Sequence, residues 1–213
     1  MVKNNYKTRK QIKYPAASEE LAEFIGIFLG DGSFRSKYQI TISYNYRNEN
    51  TYAVYIRNLI RNLFGLEAKQ QIREKYGSAD LVVAGSNIVD FLLNILNIKS
   101  VRQKNSFVLP KWIWKSDRYK IAFVRGLFDA EGCIYKHKYK SNKKVYSYLK
   151  IAITNYLGKI LDLLRKLLQE IGFHPVVYRN RVYLYSQKEV SLFLTLVGTN
   201  NDKNKARLQR FIL

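Results

Sequence analysis

Asp31 and Glu131 stand one hundred residues apart in matching surroundings. The first closes a helix-like run within LAEFIGIFLGDGSF, Leu21 to Phe34. The second does the same within IAFVRGLFDAEGCI, Ile121 to Ile134, and each acid is followed by a glycine, Gly32 or Gly132. Small residues precede each acid at i, i+4 and i+8: Ala22, Gly26 and Gly30 in one copy, Ala122, Gly126 and Ala130 in the other. On a helix that spacing makes one stripe. A stripe of small residues lets two helices approach nearer than the usual ~8–10 Å, and the natural partner of each stripe is the other copy. Two parallel, touching helices related by a pseudo-twofold axis would end with Asp31 beside Glu131. Adjacent carboxylates repel unless one is protonated or a cation neutralises them, so the pair points to a divalent-metal site.

The elements around each acid repeat as well. Ser18, followed by Glu19 and Glu20, is an N-cap for the first helix, and Ser116 and Asp117 serve the second. Gly32 and Gly132 suit the left-handed position that ends a helix. Alternation predicts strands over Tyr38–Ser43 and Lys150–Thr154, helices over 48–64 and 155–171 with C-cap glycines Gly65 and Gly172, and strand pairs 68–75 with 79–84 and 174–179 with 181–185. Closing helices fall over 88–96 and 188–197. The basic segment Lys138 to Lys144 reads as a longer hairpin loop in the second half. The fold class is therefore α+β, with two pseudo-symmetric αββαββα halves and antiparallel sheets. The divisions are a basic arm over 1–17, a first repeat over 18–99, a linker over 100–115 and a second repeat over 116–213. Trp112 and Trp114 in the linker read as packing anchors.

Composition narrows the partners. The 213 residues hold 37 Lys plus Arg against 16 Asp plus Glu, a formal charge of +21, and the basic residues are interleaved with 17 tyrosines. Such a field attracts polyanions, nucleic acid first, because neutralising phosphates releases counterions. No apolar run approaches the roughly 18 residues of a membrane span, so no membrane partner is expected. The single cysteine, Cys133, forbids an intramolecular disulfide. With two histidines, His137 and His174, it is also too little for a zinc site. The basic N-terminus lacks the apolar segment of a secretory signal. The expected location is intracellular, in the cytoplasm or nucleoid of a prokaryote or in an organelle, and the chain is not expected to be secreted.

FIGIFLGDG, Phe24 to Gly32, and VRGLFDAEG, Val124 to Gly132, resemble the two motifs of single-chain LAGLIDADG homing endonucleases, and the element order is similar over nearly the whole chain. The resemblance implies sheets that form a saddle over double-stranded DNA, with the motif helices packed at the centre. It implies that Asp31 and Glu131 hold Mg²⁺, with Mn²⁺ as a substitute, helped by the backbone carbonyls of Gly30 and Ala130. It further implies a monomer that makes a staggered double-strand break across the minor groove. Leu29 departs from the motif where Asp129 keeps it, which leaves Asp129 a secondary ligand candidate.

Metal-assisted hydrolysis needs no protein nucleophile. Nearby bases could tune the attacking water, and the segments after the last helices offer Arg102, Lys104, Lys203, Lys205 and Arg207, of which Lys104 and Lys205 are the catalytic candidates. The outward sheet faces should enter the major groove. Their candidate DNA contacts are Arg35, Lys37, Gln39, Thr41, Ser43, Gln71, Arg73 and Lys75 in the first half. In the second they are Lys136, Lys138, Lys150, Arg179, Arg181, Tyr183 and Tyr185. Alternative readings are an intron RNA-splicing maturase, with intron RNA as partner, or a non-cleaving DNA-binding protein on the same scaffold.

Overall fold

A computed structural model describes residues 11–212. The first half runs α1 (Glu19–Asp31), β1 (Gly32–Ser36), β2 (Gln39–Tyr44), α2 (Asn50–Phe64), β3 (Lys69–Arg73), β4 (Ser78–Ala84) and α3 (Ser86–Ile95). A short α4 (Lys111–Trp114) lies in the connector. The second half runs α5 (Asp117–Glu131), β5 (Gly132–Ser141), β6 (Lys144–Thr154), α6 (Gly158–Glu170), β7 (Val176–Tyr178), β8 (Arg181–Leu184) and α7 (Gln187–Leu196), followed by α8 (Asp202–Ile212). The repeated αββαββα order is present, with α8 as an unexpected addition.

Each half contains one four-stranded antiparallel sheet, ordered β1-β2-β4-β3 and β5-β6-β8-β7. Ile40, Ile42, Leu81 and Val83 fill the inner face of the first sheet, and Ile134, Ile151, Ile153, Val182 and Leu184 that of the second. A single apolar core runs through both halves. Among the described residues no helix is long and apolar enough to cross a membrane.

Helices α1 and α5 form the centre of that core. Their sequence is apolar on nearly every side, which suits a helix covered all round. Ser18 caps α1 by accepting a hydrogen bond from the Leu21 amide at 3.1 Å; Ser116 has the extended N-cap backbone but makes no side-chain cap. The small-residue stripes meet as expected. A Cβ on Gly26 would lie 2.3 Å from the Phe123 carbonyl oxygen, and one on Gly126 would lie 2.1 Å from that of Glu23. Backbone therefore touches backbone, which offsets the roughly 1 kcal/mol that each helical glycine costs.

Several local expectations change. Gly32 and Gly132 are extended, with φ −83° and −90°, and not left-handed. Glycine is needed there because a Cβ would meet the Phe28 or Phe128 ring at 2.4 or 2.1 Å as the chain turns straight from helix into strand. Left-handed backbone occurs where α2 and α6 end, at Gly65 and Gly172. Helix α6 begins at Gly158 and not at 155, because the Asn155 side chain accepts from the Leu157 amide at 2.9 Å and holds the chain in a turn. The segment from Lys138 to Lys144 is not a loop: β5 and β6 stay paired to Ser141↔Lys144 and reverse through Asn142 and Lys143, both at positive φ.

Within the basic arm, residues 1–10 lie outside the described residues. Ile12 packs on the core, and the Lys13 amide donates to the Phe64 carbonyl at 3.0 Å, so this part is docked. In the connector, Phe107, Leu109 and Ile113 are buried and Trp112 meets Tyr119 edge-on at 5.1 Å. The tryptophans pack, as expected.

Candidate active site

Asp31 and Glu131 are the last residues of α1 and α5, so the packing of those helices decides where the acids stand. A Cβ on Gly30 would lie 2.5 Å from Ala130 Cβ and 3.2 Å from Glu131 Cγ. The two acids thus share one end of the helix pair. Burial, then the neighbouring Glu131 and Glu49, push the Asp31 carboxyl up to about 8, against the pull of Lys203 and Lys104. Glu131 is also raised by burial, opposed by Lys104, by a 3.0 Å hydrogen bond from Asn155 Nδ2, and by Lys203.

Two lysines flank the acids. Lys104 donates to the carbonyls of Leu29, at 3.2 Å, and Gly32, and its ammonium lies 5.1 Å from the centre of the Phe28 ring. Burial lowers its pKa to about 8, while Asp31 and Glu131 act to raise it. The second lysine is Lys203, whose Nζ is 2.8 Å from Glu49 Oε1. Lys205 is exposed on α8 and is not brought to the acids. One helical face explains the difference, since residues two apart do not face the same way. Arg102 is exposed, and Arg207 donates to Cys133 Sγ at 3.0 Å.

A cleft of about 280 Å³ opens beside the acids, lined in part by Asp31, Asn45, Glu49, Tyr76, Ala130 and Lys203. The acid pair, of which Asp31 lines the cleft, suits a hard divalent cation, which takes oxygen ligands. The Gly30 and Ala130 carbonyls lie next to the two carboxylates in the chain. Among the described residues no group of three His, Cys, Asp or Glu side chains forms a metal cage. Such a cation would be held by the pair, with its remaining positions left for other oxygens.

The outward sheet faces differ. In the first sheet the register places Arg35, Gln39, Thr41, Ser43, Gln71 and Arg73 on one face. Arg35 donates to Gln71 Oε1 at 2.8 Å, Ser43 to Asp80 Oδ1 at 2.8 Å, and Arg73 pairs with Asp80. Thr41 is buried and shares a 2.7 Å hydrogen bond with Ser33. Lys37 and Lys75 sit in turns beside Tyr38 and Tyr76. In the second sheet Lys150, Arg181 and Tyr183 share the outward face, Tyr185 follows just beyond β8, and Arg179 occupies the turn at φ 53°. Lys136 and Lys138 are a correction: they have the parity of Ile134, so they share the face opposite to Lys150.

Residues 118–206 match the LAGLIDADG-like domain family, and residues 21–108 match the WhiA LAGLIDADG-like domain. The chain carries two LAGLIDADG-like domains. Its fold is that of I-DmoI, solved in complex with DNA and Mn, with a TM-score of 0.57 and 19% identity over 84% of this chain and 96% of that one. It is also that of the meganuclease I-AabMI bound to uncleaved DNA, with a TM-score of 0.63 and 14% identity over 90% and 88%. A curated relative, replication factor C small subunit of Methanocaldococcus jannaschii, is 26% identical over 205 residues. That match takes in 92% of this chain but 10% of the relative, so the chain spans about a tenth of its length.

The LAGLIDADG helices depart from symmetry at Leu29 and Asp129, and the structure gives the reason. Asp129 is fully buried, and its carboxylate accepts from the Thr199 hydroxyl and, at 2.8 Å, from the Asn200 amide. Asn201 then donates to the Asp129 carbonyl and to Glu49, both at 2.8 Å. Asp129 therefore anchors the loop that delivers Lys203. Leu29 is core, and only its carbonyl meets the connector, accepting from Lys104.

Glu49 and Asn155 were not singled out from sequence. Asn155 had a signal, since Asn45 and Asn155 both directly follow a repeated strand, after Tyr44 and Thr154. Glu49 and Lys203 meet across 154 positions of chain, and no periodicity joins them. His137 lies on β5 and His174 is largely exposed beside Glu189, so neither approaches the acids.

Proposed function

We propose that this chain is a sequence-specific endonuclease that makes a staggered double-strand break in a long DNA target by divalent-metal-assisted phosphodiester hydrolysis. The observation that carries the reading is the pair Asp31 and Glu131 at the touching ends of α1 and α5, with Lys104 and Lys203 beside them. Mg²⁺, or Mn²⁺ in its place, would be held by the two carboxylates and the Gly30 and Ala130 carbonyls. When bound, it polarises the scissile phosphate and acidifies an attacking water. Glu131 is oriented by Asn155, and Lys104 and Lys203 place positive charge where a phosphate would gain negative charge. Lys205 is left to contact the DNA backbone. The two outward sheet faces read base edges in the major groove. The protein works as a monomer, because one chain supplies both acids.

The test is cleavage selection from a randomised duplex library with Mg²⁺. The wild type should yield one defined cut site. Asp31→Asn and Glu131→Gln should each lose cutting of at least one strand while keeping binding to that site; normal cutting of both strands by both variants would overturn the assignment. The second reading is a non-cleaving DNA-binding protein or an intron RNA-splicing maturase. The match of the first half to the WhiA-type domain, a DNA-binding one, favours the non-cleaving DNA binder of these two. Binding to a selected duplex with no cut in either metal would support it.

A further inference from the structure

The pairing of β5 with β6 extends beyond the sheet. Strand β8 joins β6 only over Ile151–Thr154, so the pairing from Tyr135↔Lys150 out to Ser141↔Lys144 is a two-stranded ribbon. Alternation sorts its residues cleanly. Lys136, Lys138 and Lys140 take one face, while Tyr135, His137, Tyr139, Tyr146, Tyr148 and Lys150 take the other. On that second face Tyr139 stacks on Tyr146 at 5.3 Å and 18°, and on Tyr148 at 5.9 Å and 23°. Across from them Tyr183 and Tyr185 stack at 5.1 Å and 15°, and the Lys150 ammonium lies 4.7 Å from the Tyr185 ring centre. A cleft of about 370 Å³ lies between, lined by His137, Tyr139, Tyr148, Lys150, Tyr185 and Gln187. The Gln187 amide is already committed, donating to the Leu149 carbonyl at 2.7 Å and accepting from its amide at 3.1 Å, so it fixes the rim.

We propose that this cleft is a stacking subsite for an unpaired nucleobase. Cross-strand rings do stabilise a ribbon, by roughly 0.2–1 kcal/mol a pair, and that accounts for Tyr139 against Tyr146. It does not account for Tyr185 on the other wall, with the Lys150 ammonium against its ring. In a duplex, base faces are covered by their neighbours and the major groove offers edges. A cleft walled by tyrosine rings beside an ammonium matches the opposite case, a base free of the stack with its phosphate close by. The cleft falls within the roughly 300–1,000 Å³ of small-ligand pockets. The lysines on the other ribbon face add charge for the flanking backbone. The subsite rests on the nucleic-acid part of the proposed function and not on cleavage.

Binding is measured by fluorescence with chelator present, so that no cut can contribute. The probes are a fully paired duplex, the same duplex with a single unpaired 2-aminopurine, and short unpaired DNA and RNA strands of equal sequence. The wild type should bind the duplex with the unpaired base roughly tenfold more tightly than the paired one, with a change in 2-aminopurine emission. Tyr148→Ile, which keeps a strand-forming residue but removes the π-face, should abolish both effects. Tyr148→Phe should retain them, and each variant's binding of the unpaired base is read as a ratio to its own binding of the paired duplex, so that any general loss on this DNA-facing surface cancels. Tyr148→Trp, which enlarges the π-face, should strengthen the preference for the unpaired base, an effect that a ribbon failing to form cannot produce. Equal binding of paired and unpaired probes by the wild type, or equal behaviour of Tyr148→Ile and Tyr148→Phe, overturns the proposal. Preference for the RNA or the DNA strand would identify the source of the base, and either preference supports the subsite. Failure of the nuclease reading leaves these outcomes unchanged.

Discussion

The outward face of the first sheet is a locked polar network, whereas that of the second is a run of stacked rings. In the first, Asp80 is buried and ties Ser43 to Arg73, and Arg35 is tied to Gln71. In the second, tyrosines of β5, β6 and β8 lie ring on ring with Lys150 among them. Where the two central helices touch there is no such divergence, since Gly26 and Gly126 meet each other's backbone almost symmetrically. Symmetry is kept where backbones touch, because there a single added carbon collides. It is relaxed on the faces, where each half can meet a different stretch of ligand.

The comparison breaks most severely at the centre. Gly126→Val would drive a Cβ into the Glu23 carbonyl, and the expected loss is about 3 kcal/mol or more, enough to prevent folding of a marginal chain. Denaturant unfolding measures it, and a variant as stable as the wild type would contradict the backbone contact. Ser147→Val, at an exposed strand position, should cost almost nothing.

The acids provide the next contrast. In the metal-free protein the Asp31 carboxyl is raised from 3.8 to about 8, so the folded state holds its proton while the unfolded state releases it. Stability from this group is full below about pH 4 and is lost as pH rises through about 8. Asp129, raised to about 7, adds a slope of the same sign. With chelator, the thermal midpoint should fall as pH increases over this window. Asp31→Asn should flatten part of that fall, and Mg²⁺ at alkaline pH should restore the wild type but not the variant. A midpoint indifferent to both pH and metal would remove the coupling.

The smallest effect is expected on the polar face. Asp80→Ala should cost about 1–3 kcal/mol by leaving Ser43 and Arg73 without their acceptor. It should also weaken discrimination at base pairs under the first sheet by about tenfold and leave those under the second unchanged. Binding to a panel of singly altered targets would show it; an equal loss under both sheets would mean that Asp80 supports the whole fold and not one face.

Much of this was legible from residue order. The stripes at Ala22, Gly26 and Gly30 and at Ala122, Gly126 and Ala130 specified the helix pair, because steric fit depends on side-chain size at fixed spacing. The acids followed, being attached to the ends of those helices. Strand alternation fixed which residues of the first sheet face outward. It also separated Lys136 and Lys138 from Lys150, but reading the segment from Lys138 to Lys144 as a loop hid that parity.

What only the tertiary structure decided are the meetings between segments that share no local pattern. Lys203 reaches Glu49 because Asp129 anchors the loop before α8, and Asn155 reaches Glu131 because β6 returns beside the end of α5. Periodicity reports the face of one element at a time. The partner of a buried charge is set by how whole elements pack, where desolvation demands a neighbour and the fold supplies whichever one is near. The sequence thus determined the acid pair and its scaffold, and the packing determined which lysines, amides and rings surround it.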